Sequence, residues 1–172
     1  MFNQEIKLPK DRIAVLIGKK GEVRKHIEKR FNAKIRIDSK SGDVLVSGED
    51  SFDLYIVGQV INAIARGFNP EIAETLSNEE NIFEYIDIST FAKGNKSKLF
   101  RLRSRVIGTE GRARKLIEQL TNTNIVVYGK TVGIIGKTEN VLNAKRAIEN
   151  LLRGSKHGNV YAMLERERKN DI

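Results

Sequence analysis

The sequence contains no cysteine, which removes disulfides, thiolate zinc sites and cysteine nucleophiles together. It also has no apolar run near the ~20 residues that a membrane-spanning helix needs, and residues 1–5 carry no signal-peptide pattern. No membrane partner is therefore expected, and a cytoplasmic location is. Aromatics make up only 6% of the chain and histidine occurs twice, at positions 26 and 157, each isolated and read as a surface residue. No acidic cluster has two-metal spacing and no Ser/His/Asp arrangement can be nominated, so neither metal nor cofactor is expected.

What is present is positive charge. The 172 residues carry a formal +9 with an isoelectric point near 9.8, and 40% hydrophobic content is enough for ordinary cores. A globular chain that basic usually meets a polyanion.

An offset of ninety residues superimposes two stretches. Between 17 and 35, nine of nineteen positions are identical to 107–125: Ile17, Gly18, Gly21, Arg24, Lys25, Ile27, Glu28, Asn32 and Ile35. The chain is a duplicated unit joined near residues 68–80, with boundaries expected at 1–76 and 77–154 and a polar tail at 155–172. In the first half, alternation predicts a strand at 5–8, ended by Pro9, and others at 34–38 and 44–46. Helices are expected at 10–17, after Gly21 with Val23, Ile27 and Phe31 inward, and over Phe52, Ile56, Val60 and Ile64. The second half repeats the order, with a strand at 83–88, a helix at 112–120 and a hairpin turning at Gly129-Lys130. A last helix places Val141, Ala144, Ile148 and Leu151 inward, with Thr138 as its N-cap. A short helix is expected at 160–168. Each unit reads β-α-α-β-β-α, an α+β arrangement of a three-stranded antiparallel sheet on helices. The interval between Ile88 and Gly108 is twice that between Leu8 and Gly18, so the second unit has an added or lengthened element.

Two glycines flanking two residues between helices let backbone approach a ligand closely, and the following helix N-terminus suits phosphate. One such loop is common in turns and means little; the same loop twice, in the same context, is a stronger signal. Residues 7–36 hold eleven Lys/Arg and three Asp/Glu, and residues 93–115 hold nine and one. Charge is thus concentrated around both loops. The second loop carries Glu110, which repels phosphate, and the neighbouring Arg112 and Arg114, with Arg101, Arg103 and Arg105, are expected to overcompensate. Gly129-Lys130-Thr131 and Gly136-Lys137-Thr138 lack the glycine five positions upstream that a P-loop needs; Asn124 and Thr131 stand there. An enzyme is not expected.

The run 15–21 (Val-Leu-Ile-Gly-Lys-Lys-Gly), followed by Ile27 and Ile35-Arg36-Ile37, resembles the KH signature in its eukaryotic-type (type I) strand order. The resemblance implies two tandem type I KH domains, each clamping about four nucleotides over its Gly-x-x-Gly loop. The low aromatic content agrees, since other single-strand readers use exposed aromatic platforms. The stretches 105–118 and 127–136 (Val-Tyr-Gly-Lys-Thr-Val-Gly-Ile-Ile-Gly) resemble the partner-of-NOB-one family of small-subunit ribosome assembly, including compact archaeal members. Together these cover about residues 5–154. They imply an rRNA-processing factor without catalytic residues that binds single-stranded RNA near the 3′ end of 16S rRNA, beside the maturation nuclease. The RNA-binding residues are then Ile17, Gly18, Lys19, Lys20, Gly21, Arg24, Lys25 and Arg36 in the first unit. In the second they are Arg103, Arg105, Ile107, Gly108, Thr109, Gly111, Arg112, Arg114 and Lys115. An exosome-like or mRNA-regulatory adaptor, or a protein-interaction scaffold using the grooves, remains open.

Overall fold

Alternating apolar and polar residues build both sheets, each the backing of its own unit. In the computed structural model, which describes residues 1–171, the chain divides into Met1–Asn78 and Glu79–Ile172. The first unit contains β1 (Phe2–Lys7), α1 (Lys10–Ile17), α2 (Glu22–Arg30), β2 (Ala33–Ile37), β3 (Asp43–Gly48), α3 (Ser51–Ala65) and a short α4 (Pro70–Ala73). Its strands are antiparallel in the order β1-β3-β2, with Ile6 opposite Val44 and Ile35 opposite Val46. Those four side chains are buried, and Glu5, Lys34 and Arg36 alternate outward. The helices return Leu16, Ile27, Val57, Val60, Ile61 and Ile64 to the same core, all fully buried. Each such residue is worth about 1.5–3 kcal/mol. A Cβ at Gly58 would come within 2.4 Å of Gln4 Oε1, so the bare helix face there admits the amide side chain of β1.

The second unit repeats this plan with β4 (Asn81–Asp87), α5 (Ser89–Ala92), α6 (Lys96–Ile107), α7 (Arg112–Thr121), β5 (Asn124–Tyr128), β6 (Thr131–Lys137), α8 (Thr138–Leu152) and α9 (His157–Asn170). Its sheet order is β4-β6-β5, again antiparallel. The long interval before Gly108 holds α5 and a 12-residue α6, against the 8-residue α1. Asn95 Oδ1 accepts from Lys98 N–H at 3.0 Å and sets where α6 begins.

Three local expectations are corrected. Phe52 is 54% exposed, and the buried face of α3 runs through Leu54, Val57, Gly58 and Ile61. A strict four-residue stripe drifts about 40° per step around a helix of 3.6 residues per turn, so its first member rotates out of the core. Thr138 is the first helical residue and makes no capping bond, because β6 runs straight into α8 and leaves Lys137 at the cap. The expected polar tail is, over its described residues, part of the second unit: α9 is 14 residues long and buries Val160 and Leu164 in the core with α7 and α8.

Each unit also ties its loop-bearing helix to the C-terminal end of its 15-residue helix, α3 or α8. Arg12 donates to the carbonyls of Ile64 (2.8 Å) and Phe68 (2.7 Å). Arg105 donates to those of Leu151 (3.0 Å) and Ser155 (2.5 Å). Ile64 and Leu151 are each the penultimate residue of a 15-residue helix, so the acceptors correspond. The arginines do not: Arg12 aligns with Leu102, and Arg105 lies three residues further on.

Candidate nucleic-acid interface

The two Gly-x-x-Gly loops share one backbone conformation. Gly18 and Gly108 have φ/ψ of 74/174° and 75/174°. Gly21 and Gly111 have 75/15° and 75/13°. Between them, Lys20 at 55/26° and Glu110 at 56/26° occupy the left-handed region. The first glycine of each pair is required twice over. Its dihedrals exclude other residues, and a Cβ would meet Val23 N at 2.8 Å or Ala113 N at 2.7 Å. Loop and helix start are thus in van der Waals contact, which holds the loop against α2 and α7.

Neither of those helices has a side-chain cap, since glycine stands at each N-cap. By contrast, Asp50, Asn69 and Asn95 cap α3, α4 and α6. The first amide of each helix is taken within the loop, Glu22 N–H by Lys19 O and Arg112 N–H by Thr109 O, and no side chain closes the positive end of the helix against an outside anion. Lys25 Cε would lie 3.8 Å from a Cβ on Gly21, and Lys115 Cε the same distance from one on Gly111. Each lysine stem therefore lies alongside the second glycine of its loop. Lys19, Lys20, Thr109 and Arg112 are exposed, and Ile17 and Ile107 are half-buried at the helix ends.

The structure separates the remaining candidates. Arg36 points from the outer face of its sheet, opposite Leu45, and lines a depression with Glu5 and Lys40 that includes no residue of the Gly-x-x-Gly loop. Arg105 is engaged by the two carbonyls already described. Arg114 is paired with Glu118 and donates to Ile125 O at 3.2 Å. Its counterpart Arg24 is half-buried, with a shielded Nε that has no acceptor among the described residues; Arg103 Nε is in the same condition. Compensation for Glu110 therefore falls to Arg112, whose Nη2 lies 3.5 Å from Glu110 Oε2, and to Lys115 rather than to Arg114.

Glu28 and Glu118 play a part that their repetition alone did not explain. Glu28 Oε1 accepts from Ile35 N–H at 2.8 Å, and the Ile125 amide likewise bonds Glu118. Burial pushes the Glu118 carboxyl above its ordinary value of 4.5, with Arg114 opposing. Each histidine has a polar neighbour. His26 Nδ1 lies 2.8 Å from Glu74 Oε1, and His157 Nε2 lies 2.8 Å from Arg105 O.

Residues 82–169 match the eukaryotic-type KH domain (KH-domain type I), in the form found as the second KH domain of PNO1, and residues 3–66 match the KH domain. A KH domain-containing protein of Methanocaldococcus jannaschii is 48% identical over 168 residues, covering 95% of this chain and 73% of that protein. The pre-rRNA-processing protein PNO1 of Chaetomium thermophilum is 30% identical over 138 residues, 78% of this chain and 52% of that one. Dim2p of Pyrococcus horikoshii, solved as an a/eIF2alpha-aDim2p-rRNA complex, superimposes with a TM-score of 0.90 at 45% identity, over 98% of this chain and 95% of that one. With two KH units in type I order and this extent of similarity, the chain belongs to the PNO1/Dim2 family of tandem KH-domain proteins.

Proposed function

We propose that this protein is a non-catalytic RNA-binding factor of small-subunit ribosome assembly, acting in the cytoplasm on single-stranded rRNA near the 3′ end of 16S rRNA. One observation carries the reading: two loops of identical backbone, each on an uncapped helix N-terminus within a basic cluster. Such a loop brings the positive end of a helix and its neighbouring cations to consecutive phosphates, and the half-buried Ile17 and Ile107 offer apolar surface beside them. Linking two such units makes the second grip intramolecular, so two weak contacts combine into useful affinity. The names of the relatives support the client: one is a pre-rRNA-processing protein, and another is seen in complex with rRNA and a/eIF2alpha. A translation-factor subunit and the maturation nuclease are the protein partners to test first.

The test is titration with single-stranded RNA of the 16S 3′ end at several salt concentrations. For about four phosphate contacts, raising salt from 50 to 200 mM should weaken binding about 50-fold. The double variant Lys19→Asp, Lys20→Asp should bind more weakly while keeping its circular dichroism spectrum. A flat salt response with an unaltered double variant would refute phosphate clamping. Crosslinking that recovers mRNA instead of 16S rRNA would refute the client.

A further inference from the structure

The second unit has a surface feature that the first lacks and that phosphate contact over the loop does not use. Beside Gly108, a depression of about 790 Å³ opens between α6 and α9. Thr109 and Arg112 border it on the loop side, Phe100 on α6, and His157 and Tyr161 on α9. Phe100 is 69% exposed, an apolar ring held in water with an exposed arginine, Arg101, next to it. The opposite wall is firmly placed: His157 is bonded to Arg105 O, and its ring centre lies 6.1 Å from that of Tyr161. In the first unit the positions of Phe100 and Arg101 are Lys10 and Asp11, and its last described elements include no counterpart of α9. That unit instead carries both loop lysines.

We propose that this depression is an accessory nucleotide site, taking the nucleotide that flanks those held over the second loop. Its base stacks on Phe100 and Tyr161, and its phosphate meets Arg101 and Arg112. An aromatic face between guanidinium groups matches the two halves of a nucleotide. Thr109 and Arg112 belong to both loop and depression, so a strand leaving one enters the other. Stacking tolerates any base, so the site lengthens the bound track without adding sequence preference. It offsets the weaker electrostatics of a loop that holds Thr109-Glu110 in place of two lysines. His157 is a positioning residue that holds α9 against α6.

The inference rests on the proposed RNA-binding function. It is tested on the full chain carrying Lys19→Asp and Lys20→Asp, so that short RNAs report the second loop. Affinity is measured for a four-nucleotide RNA and for the same RNA extended by one nucleotide at each end. The longer RNA should bind more tightly, and Phe100→Ala should remove about 5- to 150-fold of affinity from it alone, the range for loss of one stacked base. A 2-aminopurine at the flanking position should be quenched on binding, and less so in Phe100→Ala and Tyr161→Leu. Equal affinity for the two lengths, or equal effects of Phe100→Ala on both, overturns the site and leaves the loop reading standing; the depression is then open to another occupant such as an acidic peptide. If neither RNA binds even to the unsubstituted chain, the RNA-binding function fails and the site with it.

Discussion

Replacing Gly108 with alanine should damage the second unit far more than replacing Gly111, three residues along the same loop. Both residues have φ of 75°, but they differ in ψ and in surroundings. At ψ 174° Gly108 lies in a region that is almost exclusively glycine's, which costs another residue about 1–3 kcal/mol. Its Cβ would stand 2.7 Å from both the amide nitrogen and the Cβ of Ala113, which adds an overpacking cost of about 1–3 kcal/mol. Gly111 at ψ 13° is ordinary left-handed helix, worth about 1–2 kcal/mol, and its Cβ would meet only the far end of Lys115 at 3.8 Å. The two variants should therefore differ by about 2 kcal/mol or more. Thermal unfolding followed by far-ultraviolet circular dichroism reads this as a gap of about 10 °C or more, at 4–8 °C per kcal/mol for a domain of this size. Adding Ala113→Gly to Gly108→Ala should recover only part of the loss, because the amide nitrogen remains in place. Equal losses for the two single variants, or full rescue by Ala113→Gly, would refute the steric argument.

Arg105→Met should destabilise the second unit by about 1.5–3 kcal/mol, the worth of charge-assisted bonds to the Leu151 and Ser155 carbonyls. RNA affinity measured well below the new melting temperature should hold, whereas a large affinity loss would return Arg105 to the binding surface. Glu118 should titrate above 4.5 by carbon-detected NMR, and Arg114→Met should move it higher by removing the largest opposing influence; an unchanged midpoint would contradict the pairing. A carboxyl raised in the folded state adds stability that is complete below the unfolded value and lost as pH rises through the folded one. Glu118→Gln should therefore flatten the stability profile just above pH 4.5.

Much of this architecture was legible in the sequence because the duplication exposes what backbone geometry demands. Gly18, Gly21, Asn32 and their counterparts recur because they all hold positive φ, and asparagine after a helix is among the few residues to do so cheaply. Strand alternation was equally readable, since Ile6, Ile35 and Val44 have no other core to enter. Less legible were contacts whose acceptor is main chain. The partners of Arg105 are carbonyls 46 and 50 residues away, and every residue type supplies a carbonyl, so nothing marks them. Arg105 thus resembled a free cation, whereas the i,i+4 partner of Arg114, Glu118, stands in the same helix. The helix α9 was underestimated because only Val160 and Leu164 are buried in a strongly charged segment. Its role as one wall of a depression depends on α6, which lies far away in sequence.

The paired arginines that staple each loop-bearing helix to the end of α3 or α8 bear on how the two halves should be compared. Laid out by the glycine loops, Arg12 and Arg105 fall in different columns, opposite Leu102 and Val15, and would be scored as unrelated changes. In space they are one bond, migrated along a helix by three residues, nearly a full turn, while its acceptors stayed fixed. The two units thus make an equivalent contact from non-equivalent positions. A chimera exchanging α1 for α6 would stay clasped only if each helix brought its own arginine, and a point-for-point graft of aligned columns would undo the clasp in both halves.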